Sequence, residues 1–417
     1  MSASPAEKPH IVIIGAGFAG LEAARALNGA PARVTLIDKH NFHLFQPLLY
    51  QVATAGLSPD DIAHPVRAIL RDQDNLEFRQ AEVTAVDLSK RHLATTTGDI
   101  TYDYLIVASG ATHNFFGLRS VAENGFGMKT ITEAISIRNH VLSMFELAAQ
   151  ESNPDIRRAL LTFVVVGGGP TGVESAGALS ELVYKVLTKD YPRLNFKETR
   201  IMLLEAGNSL LPAMPPDLQD VTASTLWNKK VEVRFGAMVT DYDSLKVTLK
   251  GGEIIPARTL IWAAGVRSSE LIDKLGVQQG SLARAVVTPT LQLPQYPEVF
   301  VIGDAAHCES SGKPLPMIAL VALQQGKTAA ANIWSLMYGH PLHTFSYLDL
   351  GNMATIGRNA AVAKIGWLKM KGLPAWLLWT FIHIIRLAGF RNRVFVFWKW
   401  FWDYLFYNRA VRLITKD

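Results

Sequence analysis

Residues 10–20 read HIVIIGAGFAG and decide the fold of the first part of this chain, because an apolar run passes directly into glycines spaced as GxGxxG. The run predicts a buried strand, and residues 21–27 predict a helix that follows it. Gly15 permits a tight bend, Gly17 lets the backbone approach a pyrophosphate, and Gly20 lets the helix pack close to the strand. Such a helix also directs free N–H groups and the positive end of its dipole at the phosphates.

An acidic residue completes this first motif. A second apolar run, residues 34–37, ends in Asp38, which lies 18 residues after Gly20. A carboxylate at this distance accepts hydrogen bonds from the hydroxyl groups of a ribose. The combination of strand, glycine turn, helix, strand and acid therefore predicts a dinucleotide site.

The same order of events occurs a second time. The run FVVV (163–166) leads into GGGPTG (167–172), and a later run, IMLL (201–204), ends in Glu205. A closing glycine follows 95 residues after Gly15 in the first copy, and 98 residues after Gly167 in the second. Two α/β lobes are the simplest explanation. Acidic rather than basic ribose positions favour FAD in one lobe and NADH over NADPH in the other.

Charge and cysteine content exclude several classes of protein. The net charge is +5, but residues 364–417 carry 10 Lys or Arg against 2 Asp, so the rest of the chain is slightly acidic. A basic face of the kind that binds nucleic acid is therefore not expected. Cys308 is the one cysteine, which excludes an internal disulfide, an iron–sulfur cluster and a cysteine-rich metal centre. The histidines lack metal-ligand spacing, so no metal site is expected.

A third signal is the run VFVI (299–302) followed by Gly303 and Asp304. Two interpretations of the acid are open at this level. In two-dinucleotide flavoproteins an Asp at such a position binds the ribityl chain of the flavin. An ordinary helix N-cap would also place an Asp there, and both roles can coincide.

The last 54 residues, from Lys364, are rich in aromatic side chains, with 14 of the 39 in the chain. Helices are predicted for residues 375–387 and again after Gly389, and Asn392, Lys399 and Asp403 fall on one helical face. Tryptophan together with Lys and Arg is typical of a helix lying at a membrane surface. The alternative is an aromatic helix buried on the body or in a dimer. The longest uncharged stretch within these last 54 residues has 14 residues, fewer than the roughly 20 that span a bilayer.

Together these motifs resemble the two-dinucleotide flavoproteins, and more closely the type II NADH dehydrogenases, which are single-subunit NADH:quinone oxidoreductases. The most specific segments are FQPLLYQVA (45–53) and the tail with FRNRVFVF (390–397). The resemblance implies an α/β fold with two Rossmann-like domains, one for non-covalent FAD and one for NADH, and a C-terminal amphipathic helical region that binds a membrane. The implied reaction passes a hydride from NADH to flavin N5 and two electrons to a membrane quinone, without proton pumping.

The resemblance also implies boundaries and partners. The FAD domain would comprise residues 8–115 and 283–345, the NADH domain 116–282, and the membrane-binding region 346–417. The implied partners are NADH, a quinone, a lipid surface and a second copy of the chain. The implied location is the cytoplasmic face of the inner membrane of a bacterium, as a peripheral protein.

Site residues follow from the resemblance, position by position. For FAD they are Gly15, Gly17, Phe18, Ala19, Asp38, Gln46, Pro47, Leu48, Val83, Gly110, Gly303, Asp304, Ala319 and Leu320. For NADH they are Gly167, Gly169, Pro170, Thr171, Gly172, Glu205 and Gly265. The implied catalytic residues are Glu174, beside the nicotinamide and flavin, and Gln324, facing the quinone.

Two of these residues have competing interpretations. Glu174 would also fit an acid in a first helical turn, where it complements the helix dipole. Gln324 belongs to a run that in many members reads AQxAxQQ, but here Leu320 replaces the first glutamine, and leucine cannot donate a hydrogen bond to a quinone carbonyl. In the alternative interpretation, Gln324 is an amide on the helix surface that contacts no ligand.

Other functions are open from the sequence alone. The same two lobes serve NADH-dependent reductases of other acceptors, such as a ferredoxin-like protein. A slow-turnover flavoprotein would sense NADH instead. Sulfide:quinone oxidoreductases and disulfide reductases share the fold but need cysteines that a chain with Cys308 alone lacks.

Overall fold

A computed structural model describes residues 8–310, 312–406 and 411–415. The chain divides into two compact units. The first holds the residues through Leu44, Ala63–Thr112 and Val266–Asp349, and the second holds Phe45–Ile62, His113–Gly265 and the residues from Leu350 onward. Six helices are labelled here in chain order: α1 (Phe18–Ala26), α2 (Ile131–Gln150), α3 (Pro170–Glu181), α4 (Ala319–Tyr338), α5 (Gly372–Arg386) and α6 (Phe390–Phe406).

The first unit is built on a six-stranded sheet. Its central strands are short apolar runs that are almost fully buried, as expected when helices cover a parallel sheet. All neighbouring strands are parallel, except that the edge strand Gln292–Leu293 pairs antiparallel with Tyr296–Val301. The order in space is Gln292–Leu293, Tyr296–Val301, Tyr104–Val107, His10–Ile14, Arg33–Asp38, Leu76–Gln80.

Helices α1 and α4 cross closely in the first unit. A Cβ on Gly326 of α4 would lie 2.5 Å from the carbonyl oxygen of Ala19 in α1, so the two backbones nearly touch. Smaller elements complete the unit: strands Phe42–Leu44, Ala63–Pro65, Val83–Asp87, His92–Thr95, Ile100–Thr101, Val266–Ser268, Ala285–Val286, Ala306–His307, Glu309–Ser310 and Lys313–Pro314, and helical turns Val66–Ile69, Glu270–Asp273, Ser281–Ala283 and Gly303–Ala305.

The second unit repeats the arrangement with a four-stranded parallel sheet. Its order is Val231–Arg234, Arg200–Leu204, Thr162–Val166, Thr259–Trp262. Residues 184–200 extend the helix and loop before a strand, since α3 continues through a π-helical turn, Leu182–Leu187, and Thr188–Asp190. The remaining elements are strands Val239–Tyr242, Lys246–Leu249 and Ile254–Pro256, and helices Gln46–Leu48, Leu49–Ala53, Pro59–Ile62, Arg119–Asn124, Pro154–Leu160 and Pro216–Asn228.

The C-terminal region begins with strands, which the prediction of a helical membrane-binding region did not include. Asn352–Gly357, Ala360–Ile365 and Leu368–Lys371 form an antiparallel sheet, and helix starts at Gly372. Two residues with positive φ explain the hairpins, Asn359 at +60° and Gly366 at +55°. The predicted break at Gly389 is confirmed, with φ +79° between α5 and α6. Among the described residues, no helix is both long and apolar enough to cross a bilayer.

The two units differ from the predicted domain boundaries at several places. Residues 266–282 lie in the first unit and residues 45–62 in the second, while the C-terminal region joins the second unit. The excursion at 45–62 leaves and re-enters the first unit between the paired strands Phe42–Leu44 and Ala63–Pro65. The sequence does not reveal that residues 45–62 belong to the second unit, because this placement depends on contacts with residues far away along the chain.

Gly177 tests how the C-terminal sheet packs on α3. A Cβ there would lie 2.2 Å from the carbonyl oxygen of Ile356. We expect Gly177→Ala to lower the free energy of unfolding by about 1–2 kcal/mol, although alanine gains helix propensity, because the strand must move away. Denaturant unfolding followed by tryptophan fluorescence measures this. Ser175→Ala is the control in the same helix, since its hydroxyl has no hydrogen-bond partner among the described residues; equal stability of both variants would contradict the packing argument.

Candidate functional site: two dinucleotide turns and an exposed aromatic face

The first glycine turn has the backbone geometry that a pyrophosphate needs. Gly15 has φ +100°, and a Cβ there would lie 2.3 Å from the carbonyl oxygen of Ala108. A Cβ on Gly20 would lie 1.8 Å from the carbonyl oxygen of Gly15, so larger residues would force α1 away from the strand. A Cβ on Gly17 would meet nothing within 4 Å. No side chain caps the N-terminus of α1, which leaves its N–H groups for an anion.

The second turn repeats these relations. Gly167 has φ +109°, and its Cβ would lie 2.6 Å from the Cα of Ala264. A Cβ on Gly172 would lie 1.8 Å from the carbonyl oxygen of Gly167, whereas Gly169 faces open space. Helix α3 begins at Pro170 and Thr171 without a side-chain cap. A Cβ on Gly265, the predicted closing glycine, would lie 2.7 Å from the Phe116 ring.

The two acidic residues are held by equivalent backbone groups. Asp38 accepts hydrogen bonds at 2.7 Å from the N–H of Ala16 and of His40. Glu205 accepts them from Gly168 at 2.5 Å and Gly207 at 2.6 Å. In each case one donor follows the first glycine of the turn and the other lies two residues beyond the acid. Each carboxylate oxygen keeps a further lone pair, so both positions fit a ribose diol.

The turn at Gly303 and Asp304 depends on a residue that the sequence analysis missed. The N–H of Gly303, at φ +68°, donates at 2.7 Å to the side-chain oxygen of Gln325, which is buried on α4. Asp304 lies inside the helical turn Gly303–Ala305, whose N-cap is Ile302, so the interpretation of Asp304 as an N-cap is wrong. The signal for Gln325 was its place next to Gln324.

His43 is a second residue that the sequence analysis overlooked. Its Nδ1 lies 2.9 Å from the carbonyl oxygen of Ala16, next to the first glycine turn, and its ring meets Phe18 edge to face at 5.1 Å. Burial lowers the pKa of His43, so the ring is neutral at pH 7 and Nδ1–H is the donor. The ring braces the turn. Sequence alone gave no signal for this role, because the contact depends on how two strands pair.

The remaining predicted FAD residues fall into two groups. Phe18 and Ala19 start α1, Ala319 and Leu320 start α4, Val83 starts a strand, and Gly110 has φ +69°. All of these lie in the first unit. Gln46, Pro47 and Leu48 form a helical turn in the second unit. Their predicted contact with the flavin stays a prediction.

Glu174 is buried in the second unit, beneath the C-terminal sheet. Its Oε1 accepts a hydrogen bond from the N–H of Thr355 at 3.3 Å, and the indole of Trp379 lies against the carboxyl group. Burial raises the pKa of Glu174 to about 8, and the Thr355 hydrogen bond offsets only part of this. No acid lies in the first turn of α3, so the helix-dipole interpretation is wrong. The group is therefore a protonated acid at pH 7.

Gln324 lies on α4, and its side chain makes two hydrogen bonds with the backbone of Leu348. Its Nε2 donates to the Leu348 carbonyl at 3.0 Å, and its Oε1 accepts the Leu348 N–H at 2.9 Å. The side chain thus fixes a loop, and the alternative of a helix-surface amide with no ligand stays open. One N–H and one oxygen lone pair are left, and the predicted quinone contact stays a prediction.

The tail presents an apolar face outward. On α5 the exposed residues recur every fourth position, and Phe381 is 62% exposed, while the opposite stripe of Ala375, Trp379 and Leu387 is buried. The alternative of burial on the body therefore does not hold for these exposed side chains, and the alternative of burial in a dimer stays open. The exposed set is Leu373, Leu377, Phe381 and Ile385 on α5, and Val394, Phe395, Phe397, Trp398, Phe401, Trp402 and Phe406 on α6.

The polar stripe of α6 contacts the protein. Lys399 donates to Asp61 at 2.6 Å and to Ser58 at 3.2 Å, and Asn392 donates to the Asp60 carbonyl at 3.4 Å. The helical spacing predicted that these residues share a face, and the structure shows which surface that face contacts. The side chain of Asp403, the third member of the stripe, lies outside the described residues.

Comparisons with known proteins cover the whole chain. Residues 9–326 match the family model of pyridine nucleotide-disulphide oxidoreductases, and residues 350–408 match the model of the NDH2 C-terminal domain. Type II NADH:quinone oxidoreductase Ndh of Mycobacterium tuberculosis is 39% identical over 100% of this chain and 92% of that protein. Type II NADH:quinone oxidoreductase of Staphylococcus saprophyticus is 28% identical over 92% of this chain and 97% of that protein.

Solved structures agree with this assignment of the fold. NDH2 of Plasmodium falciparum, solved with NADH, superposes with a TM-score of 0.89 at 22% identity, over 98% of this chain and 100% of that one. The sulfide:quinone oxidoreductase of Aquifex aeolicus reaches 0.75 at 19% identity, over 92% of each chain. In the present chain Cys308 is 5% exposed and burial raises the pKa of its thiol, so it lacks the character of a reactive cysteine.

Glu205 provides a test of the second dinucleotide site. We expect Glu205→Gln to raise the KM for NADH about tenfold with little change in kcat, because the amide cannot accept from both Gly168 and Gly207 and ribose binding is mostly uniform binding. Steady-state kinetics measure this. Glu232→Gln, an exposed acid of the same sheet that pairs with Arg200, is the control. An unchanged KM would remove Glu205 from the site.

Glu174 provides a pH test. The folded-state pKa of about 8 exceeds the ordinary 4.5, so the folded state retains a proton that the unfolded chain loses, and stability falls as pH rises through this window. We expect Glu174→Gln to flatten that fall, and to be more stable than the parent by roughly 2–4 kcal/mol above pH 8. Denaturant unfolding between pH 5 and 9 checks this, with the exposed Glu123→Gln as control. Parallel curves for all three proteins would refute a raised pKa.

Proposed function

This chain belongs to the type II NADH:quinone oxidoreductases, and we propose that its two dinucleotide turns hold FAD and NADH for the reduction of a membrane quinone. The balanced reaction converts NADH, one proton and a quinone into NAD⁺ and a quinol. When bound, FAD accepts the hydride from NADH and delivers two electrons to the quinone. The protein supplies binding, orientation and a proton.

The observation that carries this proposal is the equivalence of the two sites. Both have an uncapped helix start, an open central glycine at position 17 or 169, and an acid held by two backbone N–H groups. FAD is assigned to the first turn and NADH to the second, as the family resemblance implies. Asp38 and Glu205 would each hold a ribose diol, and the N–H groups of α1 and α3 would each meet a pyrophosphate.

We propose Glu174 as the group that stores a proton for the quinone. Its carboxyl group is buried and neutral at pH 7, so it can donate a proton and recover one from solvent. Gln324 keeps one N–H with which to meet a quinone carbonyl. Leu320 offers no such donor, which leaves Gln324 as the glutamine of this helix turn available for that contact.

We propose that the exposed apolar face of α5 and α6 lies in a lipid surface. Soluble monomers rarely expose so many large apolar side chains together, and tryptophan prefers the membrane interface. The enzyme would then be a peripheral protein on the cytoplasmic face of a bacterial inner membrane, where NADH is available. As the resemblance implies, we also propose that the chain forms a homodimer.

The test of function is the visible spectrum of the purified protein during anaerobic titration. We expect a bound flavin spectrum that bleaches with one equivalent of NADH and returns when a soluble quinone is added. Bleaching without return would instead favour an NADH-sensing flavoprotein. A colourless protein that does not take up FAD would contradict the proposal.

The lipid surface has its own test. We expect Leu377→Lys with Phe381→Lys to reduce co-sedimentation with anionic vesicles at least about tenfold, because two side chains that would enter the lipid become charged. The matched control is Leu147→Lys with Leu245→Lys, whose side chains are 53% and 51% exposed elsewhere on the second unit. Equal binding by both double variants would move the lipid contact away from α5.

A further inference from the structure

Helix α6 makes polar contacts with one segment of the second unit, residues 45–62. Lys399 Nζ lies 2.6 Å from Asp61 Oδ2 and 3.2 Å from Ser58 Oγ. One residue further, Trp400 Nε1 donates to Gln51 Oε1 at 2.9 Å. These contacts join two parts of the chain that are more than 330 residues apart in sequence.

The ion pair is partly buried. The side chains of Lys399 and Asp61 are 27% and 13% exposed, and Asp61 Oδ2 also accepts the N–H of Ser58 at 2.6 Å. A lysine used this way is not available to lipid headgroups, although it lies on a helix whose other side is exposed and apolar. The charge of Lys399 is used in the ion pair with Asp61.

Gln51 connects the second contact to the backbone of the segment. Its side-chain Nε2 donates to the hydroxyl of Tyr50 at 3.0 Å, while its carbonyl accepts the N–H groups of Gly56 at 2.7 Å and Leu57 at 3.2 Å. The indole N–H of Trp400 therefore holds a residue of helix Leu49–Ala53 whose carbonyl accepts N–H groups of the loop before Ser58.

The whole segment is packed as one piece. Its ends are joined by the hydrogen bond from the Phe45 N–H to the Ile62 carbonyl, at 2.8 Å. Between them the side chains of Leu48, Leu49, Val52 and Leu57 are buried. Phe45 meets the ring of His383 on α5 edge to face at 6.1 Å. Movement at Asp61 or Gln51 would therefore be transmitted to the turn Gln46–Leu48.

We propose that Lys399 and Trp400 are positioning residues, which make the membrane-facing helix α6 hold residues 45–62 in the shape required for electron transfer to the quinone. The inference rests on the proposed function, because Gln46, Pro47 and Leu48 are expected to border the flavin. The tail is then more than an anchor. Its inner face orders a segment of the redox site, while its outer face contacts lipid.

The first test measures order in the segment and needs no substrate. In Lys399→Met we expect amide hydrogens of residues 51–58 to exchange at least about tenfold faster, measured by mass spectrometry on the FAD-loaded protein, because local opening is no longer opposed by the ion pair. Lys399→Arg should restore protection. The control is Arg391→Met, an exposed cation of the same helix whose described contact is the Phe395 ring. Unchanged exchange in Lys399→Met would overturn the proposal, as would equal loss in Arg391→Met.

The second test separates the half-reactions. We expect Lys399→Met to slow reoxidation of reduced flavin by quinone about tenfold, with flavin reduction by NADH and vesicle binding as in the parent. Asp61→Asn should give the same result, and the double variant should be no worse than either single one, because both remove one pair. A rate loss that follows vesicle binding would show that Lys399 serves lipid, and additive losses would show that the two residues act separately.

The two tests separate this proposal from the proposed function. If the parent protein reduces no quinone, the proposed function fails, and the exchange measurement still decides whether α6 orders residues 45–62. If the parent turns over normally while exchange and reoxidation in Lys399→Met match it, the proposed function stands and the positioning role is refuted.

Discussion

The structure depends on how closely a helix can start beside the strand that precedes it. At Gly20 and Gly172 the space for a side chain is already filled by the carbonyl of the first glycine of the turn, at 1.8 Å in both copies. This contact places the uncapped starts of α1 and α3 at the ends of their sheets. The unpaired N–H groups there are a cost to the protein alone, and a phosphate removes that cost.

Two carboxyl groups of the second unit have different roles. Glu174 lies under the C-terminal sheet with a single backbone hydrogen bond, so its neutral form is favoured and the residue can hold a proton. Asp61 is partly buried, and the ammonium group of Lys399 lies 2.6 Å from its carboxylate. One carboxyl group can thus serve as an acid, and the other is held in an ion pair.

The C-terminal helices combine two opposite surfaces. Their outer face is apolar and exposed, and their inner face carries the lysine, the asparagine and the indole N–H that bind residues 45–62. An amphipathic helix normally turns its polar side to water. Here the polar side meets protein, so the sequence pattern identified the stripe but not the surface that it contacts.

The sequence by itself determined the two dinucleotide turns, their strands and acids, the break at Gly389 and the aromatic character of the tail. These features are local, because glycine geometry, strand periodicity and helix spacing act over a few residues. Only the tertiary structure decided that residues 45–62 belong with the C-terminal helices, that Gln325 and His43 brace the first site, and that Glu174 is buried. Each of these depends on contacts between segments far apart in sequence, and burial, which shifts a pKa or directs a lysine inward, exists only once those segments have packed.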